Sequence, residues 1–389
     1  MPCRSCGAGP ESARALYSRE QDAGPPLGRV ATRIVQCERC GFAQQSPRPA
    51  PDALARYYAE ADAASGGVFR ETGPGTRHAE LAARRVAFVR AALPAAAGER
   101  GSLLEVGCGR GDLLPELAPP GWSARGLEPS APAAAQACAR GLDVAVAPLE
   151  REDALSHAGG FDAVVAFSVL EHLDDPALAV ARLAELCAVG GVVVVEVPDS
   201  TRPFDGVAEF FALEHLSHFT AHTLAGLFAA HDLGMVALER DAERAGLCAA
   251  FRRGPALVDT PDDRDELAAA VAAYATRRAA LEGELAARLN GALERWRTSG
   301  ARVAVYGAGV HTRFLFDLVP LREASVALLD GDPKKRGSTL FGLPVHAPDD
   351  AGSLELDAVV LSSRAFEDEM AARLGGFAAA GGEVVRLYR

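Results

Sequence analysis

Four cysteines near the start of the chain form two Cys-x-x-Cys pairs, Cys3 with Cys6 and Cys37 with Cys40. Thiolates at that spacing can hold a tetrahedral zinc ion at about 2.3 Å per Zn–S bond. The pattern favours a structural zinc over a redox pair or metal-free thiols, because four cysteine ligands leave no open position for chemistry. A second group lies in LLEVGCGRGD, Leu103 to Asp112, where an apolar run ends at Glu105 and Gly107, Gly109 and Gly111 follow. Another acid, Glu128, ends the next apolar run (SARGLEPS), a place from which a carboxylate can grip both hydroxyls of a ribose. The third group is His172 in VLEHLDDP and Glu214–His215 in FFALEHLSHFT. Histidine titrates near neutral pH and an adjacent carboxylate can orient it, so these residues can move a proton. Residue chemistry alone leaves two readings open for each: His172 as a base or substrate contact against a residue that fixes its loop, and His215 as a base against a donor to a carbonyl near Thr220. His218 and His222 read as residues at the start of a helix. A metal site built from His215, His218 and His222 lacks a supporting carboxylate spacing.

Alternating strand and helix patterns from Gly101 to about Gly254 must position these groups, as in a doubly wound sheet. Strands are expected near 102–106, 123–128, 142–146, 161–167, 191–197, 235–240 and 246–253, with helices at Ala131–Arg140, Pro176–Val189 and Leu224–Leu233. Ligands of such sheets lie beyond the carboxyl ends of the strands. Glu105, Glu128, Ser168 to His172 and Pro198 to His218 all fall there. Upstream, Thr76 to Leu93 has helical spacing, and Asp52 could cap a short helix holding Leu54, Tyr57 and Tyr58. Few apolar residues lie between the cysteine pairs, so metal binding is expected to supply much of that module's folding energy.

The glycine turn lacks the third-glycine spacing of a dinucleotide site, and an acid just before it suits a positively charged ligand better than a pyrophosphate. The segment resembles motif I of the class I S-adenosylmethionine-dependent methyltransferases, and FDAVVAFSVLEHLDDP and GGVVVVEVPDS resemble that family's later motifs in the same order. The resemblance implies cofactor contacts from Glu105, Gly107, Cys108, Gly109, Gly111, Asp112, Glu128, Pro129, Leu149 (through its backbone) and Ser168. Domain order is similar to the three-domain, zinc-containing sugar C-methyltransferases, which act on nucleotide-linked 4-keto-deoxysugars in natural-product pathways. That implies a proton-abstracting role for His215, with Glu214 beside it, and a match for His172 as a group that could hold the oxyanion. The chain departs from that family at GGVFRETGPG (Gly66 to Gly75), where tyrosines are usual, and at Ala212 and Leu213, where an aromatic residue is usual. O- or N-methylation of another natural-product intermediate, or a cofactor-binding partner protein without activity, are the alternative readings.

Thr260 to Thr298 reads as one long helix. VAVYGAGVHTRFLFDLV then begins a second strand–glycine turn–helix unit, with Asp330 placed like a ribose-binding acid and Lys334, Lys335 and Arg336 as the basic cluster, expected to be solvated. The fold class expected is therefore α/β: a zinc-binding module (1–50), a Rossmann-like class I methyltransferase domain with amino-terminal helices (51–258), a connecting helix (259–299) and a smaller Rossmann-like domain (300–389). With 389 residues, 49% hydrophobic content and 24% charged, the composition is that of a globular protein. A net charge of −12 and a pI near 5.3 argue against a nucleic-acid partner. Unpaired cysteines, no charged-then-apolar start and no apolar run near 18 residues lead to the expectation of a cytoplasmic protein, without membrane contact, acting on a small molecule that could be a nucleotide-sugar.

Overall fold

The computed structural model describes residues 1–22, 28–50, 54, 77–94, 100–151, 160–204, 210–241 and 245–388. The expected helix after Asp52, with Tyr57 and Tyr58, and the segment 66–75 lie outside the described residues. Contacts divide the chain into two compact units. The first comprises Met1–Arg19, Ala31–Phe204 and Phe211–Ala272; the second comprises Glu20–Val30, Asp205–Phe210 and Ala273–Arg389. No described helix is long and apolar enough to cross a membrane.

Three strands open the chain, β1 (Ala13–Asp22), β2 (Arg29–Cys37) and β3 (Ala43–Gln45). The central sheet takes β4 (Ser102–Val106), β5 (Ser123–Glu128), β6 (Val144–Val146), β7 (Phe161–Phe167) and β8 (Cys187–Pro198). After a two-residue strand β9 (Ser217–His218) it is completed by β10 (Leu233–Asp241) and β11 (Gly246–Arg253), in the order β10-β11-β8-β7-β4-β5-β6. β4, β5, β6, β7 and β8 are mutually parallel, and β11 runs antiparallel between β8 and β10. Leu103, Leu104, Val164, Val165, Val193 and Val194 are fully buried, as strands covered on both faces require. Helices Arg77–Ala92, Ala131–Ala139, Pro176–Leu186 and Ala221–Ala229 accompany it.

Boundaries moved where the apolar pattern is ambiguous. The helix expected to reach Val189 stops at Leu186, and Cys187 is already extended, so CAVGGVVVVEVP is one long strand. Thr220 caps the next helix through a reciprocal pair with Thr223, starting it at Ala221 rather than Leu224. His218, expected at a helix start, belongs to β9 instead.

The amino-terminal segment does bury apolar surface, contrary to the sequence expectation. Thr32, Ile34 and Gln36 of β2 face inward, and Tyr17 packs on Phe211, 5.4 Å between ring centroids. What covers this face comes from more than 150 residues downstream (~10 Å between packed sheets is the usual reach of such faces), so a local count of apolar residues missed it. The sheet itself runs β1-β2-β3-β9. β3 pairs antiparallel with β9, Ala43 opposite His218 and Gln44 opposite Ser217.

In the second unit the carboxyl-terminal strands are β12 (Val303–Tyr306), β13 (Ser325–Leu329), β14 (Thr339–Leu340), β15 (Leu343–His346), β16 (Ala358–Leu361) and β17 (Glu383–Val385). Their order is β14-β15-β13-β12-β16-β17, parallel except for the β14–β15 pair. The long helix is continuous from Arg264 to Ser299.

Candidate active site

The glycine turn leaves β4 at Val106 with Gly107, Gly109 and Gly111 all at positive φ (70°, 56° and 71°), a conformation that favours glycine. Packing adds a second reason at two of them. A Cβ on Gly107 would lie 2.5 Å from Val169 Cγ2, and one on Gly111 would lie 2.4 Å from Leu142 Cδ1. These neighbours are the protein's own side chains, so the glycines serve internal packing as well as ligand approach. Gly107→Ala is expected to cost about 1–3 kcal/mol, read as a lower urea midpoint, and to displace Val169 and with it the following residues.

Glu105 is 6% exposed, with its Oε2 lacking a hydrogen-bond partner. Burial pushes its carboxyl up to about 8, while the nearby Arg85 pulls the other way. A buried carboxyl with an unsatisfied oxygen is costly, and a cationic ligand would relieve it. Glu128 is 8% exposed and bridges the turn to β5: Oε2 accepts from Gly109 N–H and Oε1 from Ser130 N–H, each at 2.8 Å. A carboxylate has about four acceptor positions, so about two remain for hydroxyls.

The other expected cofactor residues are placed as follows. Cys108 is buried, its thiol raised to about 12 by burial and by Glu105 and Glu128, and its sulfur fills the space over Gly126. Asp112 is exposed and paired with Arg140. Pro129 is exposed after β5, and Leu149 is buried in the core. Ser168 has φ 54°, receives a hydrogen bond from Arg85 Nη2 at 3.3 Å, and follows Phe167, whose ring lies 4.9 Å from the Arg85 guanidinium. Arg85 is also ion-paired with Glu196 of β8.

The two Glu-His pairs, 43 positions apart by numbering (171 to 214), come together at the carboxyl end of β7. The rings of His172 and His215 meet edge to face with centroids 4.9 Å apart. Glu171 carbonyl accepts from Leu216 N–H at 2.7 Å, tying one pair to the other. His172 Nδ1 lies 3.1 Å from the Glu214 carbonyl oxygen, which can only accept, so Nδ1 carries the proton. Burial, then the neighbouring His215, holds this imidazole down at about 4. At neutral pH its Nε2 therefore bears a lone pair. That removes His172 as the oxyanion donor expected from the sequence and makes it an acceptor. Glu171, which sequence reasoning noted only as part of its motif, is 1% exposed, and burial pushes its carboxyl up to about 8.

The loop is held from the other side by the cysteine module. Gln45 N–H donates to Leu216 O at 3.0 Å, and Arg4 Nη1 to the same oxygen at 3.3 Å. Arg4 sits between Cys3 and Cys6, and its own N–H donates to Gln44 Oε1 at 2.9 Å. The four thiols converge: Cys3 and Cys40 sulfurs are 3.6 Å apart, Cys6 and Cys37 sulfurs 3.7 Å. Gly7 N–H bonds to Cys3 O and Gly41 N–H to Cys37 O, the knuckle turns that the glycines at positive φ permit.

Two family models match the chain, one described as a methyltransferase domain over residues 76–238 and one as a C-methyltransferase C-terminal domain over residues 264–387. By family, the chain is methyltransferase-like in these two segments, 76–238 and 264–387. Over 104 residues the chain is 34% identical to the ubiquinone biosynthesis O-methyltransferase of Caulobacter sp. (strain K31), covering 25% of this chain and 41% of that protein. It is 38% identical over 96 residues to the protein of the same name from Cronobacter sakazakii, covering 23% and 40%. The chain thus spans about two fifths of the length of these curated relatives. Among solved structures it is similar to the [4+2]-cyclase SpnF (16% identity, 54% of this chain and 98% of that one, TM-score 0.41). It is also similar to the N-methyltransferase NodS of Bradyrhizobium japonicum WM9 (22% identity, 44% and 96%, TM-score 0.35).

The chain's second glycine turn is engaged by its own donors. Asp330 accepts from Ala308 N–H and Asp332 N–H at 2.9 Å and from Lys335 Nζ at 3.1 Å. Lys335, expected in a solvated loop, turns inward and also donates to Ala308 O at 3.1 Å. An acid in a buried position draws in the nearest cation, which a reading of the basic run by composition alone does not capture.

Proposed function

We propose that this chain transfers a methyl group from S-adenosylmethionine to a carbon atom of a small acceptor, and that the acceptor is a nucleotide-linked keto-deoxysugar. The observation that carries this reading is the meeting of His172 and His215, with His172 three residues beyond Val169, which itself lies against Gly107 of the glycine turn. A base is thus within a few residues of the cofactor cradle. The description of the second family model as a C-methyltransferase domain supports carbon as the nucleophile.

S-adenosylmethionine, when bound, supplies an electrophilic methyl group, so the protein's work is alignment, exclusion of water and removal of one proton. Glu105 would pair with the cofactor's ammonium, which answers its unpartnered buried oxygen, and the remaining acceptor positions of Glu128 would take the ribose hydroxyls. His215 would take the proton from the carbon next to the ketone. His172, fixed by the Glu214 carbonyl with its lone pair at Nε2, would orient His215 and lower the cost of charging it. For the cysteines, sulfur separations of 3.6 and 3.7 Å fit the edge of a tetrahedron, about 3.8 Å for Zn–S bonds of about 2.3 Å. Cys3, Cys6, Cys37 and Cys40 would hold a structural zinc.

Glu105 makes the cofactor half of this reading testable by pH. In the ligand-free chain the carboxyl is protonated below about 8, whereas an ammonium partner requires it ionised. Binding therefore releases a proton, and affinity rises with pH. Calorimetric titration with S-adenosylhomocysteine should show up to about tenfold tighter binding per pH unit between about pH 5.5 and 7, and Glu105→Gln should flatten that slope. A slope shared by both proteins would take Glu105 out of the ammonium site. The acceptor half is tested by deuterium: in D₂O, without cofactor, the enzyme should exchange label into the carbon next to the ketone of a nucleotide-linked 4-keto-deoxysugar. Methylation of an acceptor with no such exchange would favour the O-methyl reading, which the names of the curated relatives support.

A further inference from the structure

The histidine trio considered from the sequence is dispersed: His218 lies in β9 against Phe211, and His222 Nδ1 donates to Thr260 O at 2.9 Å. Among the described residues a different set converges. One ligand atom each from Glu171, His172 and His215 lies within 4.8 Å of the others. The hydrogen bond from His172 Nδ1 to the Glu214 carbonyl fixes the tautomer, as a backbone acceptor commonly does behind a metal-binding histidine. The lone pair this leaves at Nε2 stands 3.9 Å from Glu171 Oε1. A cation lying between these two atoms would take a lone pair from each. Glu171 is 1% exposed, and its second oxygen, Oε2, is buried with no hydrogen-bond partner. Two imidazoles and one carboxylate suit a borderline first-row divalent ion with open positions for water, whereas magnesium and calcium prefer all-oxygen shells.

We propose that Glu171, His172 and His215 bind one divalent transition cation of the zinc, cobalt or nickel class, at a site distinct from the four cysteines. The cation takes the same nitrogen lone pairs that the proposed proton transfer uses, so it inhibits turnover by competing with the acceptor's proton. Only that consequence rests on the methyl-transfer reading; the binding stands or falls by itself.

The test uses the full chain with its cysteine site loaded with zinc, titrated with Co²⁺. One further equivalent should bind with the weak visible bands of nitrogen and oxygen ligands and without the thiolate-to-cobalt charge-transfer band of the cysteine site. Glu171→Gln and His172→Gln should each lose that equivalent while keeping the zinc, the melting temperature and S-adenosylhomocysteine binding close to wild type. A wild-type chain that takes up no cobalt beyond the cysteine site overturns the proposal, whether or not the variants fold. So does a second equivalent that persists unchanged in a folded Glu171→Gln protein.

Discussion

Replacing His215 by alanine is expected to slow methyl transfer by about 10²–10⁴-fold, the usual worth of a positioned base, with cofactor affinity unchanged. The two effects separate because Glu105 and Glu128 lie at the ends of β4 and β5, whereas His215 is held through Leu216 by Glu171 and Gln45. Loss should fall on kcat rather than KM, since the interaction matters in the transition state. A readout independent of turnover comes from His172. Its imidazole is held low first by burial and then by His215, so removing His215 should raise its midpoint part of the way from about 4 toward the ordinary 6.5. Titration of the His172 ring resonances by NMR would follow this directly. Turnover within a factor of about two of wild type would show that another group takes the proton, a change well below the usual contribution of a general base. A His172 midpoint that stays put would show that burial alone sets it.

Much of the structure around the proposed cofactor site was legible because its signals are local. The apolar run to Glu105, the glycines at 107, 109 and 111, and a second acid at the end of the next strand occupy 26 consecutive positions from 103 to 128. Strand and glycine turn there follow from period and backbone conformation. The acceptor half was read as a set of residues but not as a geometry. β3 and β9 have three and two residues, too short for any periodicity, and their pairing joins positions near 44 and 217. Nothing in a linear pattern specifies that juxtaposition. Nor could spacing reveal the His172 tautomer, which depends on the Glu214 carbonyl delivered by a distant loop. The helix–strand boundary at Cys187 failed for a different reason: a continuous apolar run fits a buried strand or a buried helix equally well.

The same short pairing gives the proposed zinc site a consequence for chemistry. Structural zinc contributes roughly 10–16 kcal/mol of apparent binding energy in small cysteine modules, more than the margin by which most domains are stable. Removing the metal with a chelator, or replacing Cys37 by serine, is expected to unravel the turns at Gly7 and Gly41 and the strands that follow them. β9 would then lose its partners, Ala43 opposite His218 and Gln44 opposite Ser217, and Leu216 O would lose both Gln45 N–H and Arg4. His215 stands next to that oxygen, so a metal four cysteines away from any substrate should still control turnover. The central sheet should survive, because β4 is paired to β5 and β7 and its turn is closed by Gly107 N–H on Leu127 O, none of which involves the module. Hydrogen exchange resolves the two regions: the Gln45 and Leu216 amides should become fast on zinc removal while Leu104 and Gly107 stay protected. S-adenosylhomocysteine should bind the zinc-free chain with near wild-type affinity, and methyl transfer should be lost. If Leu216 keeps its protection without zinc, the loop is held by Glu171 alone and the module has no part in placing the base. If instead the β4 and β5 amides are deprotected together with it, the module and the sheet unfold as one unit, and loss of turnover would then reflect global unfolding rather than a misplaced histidine.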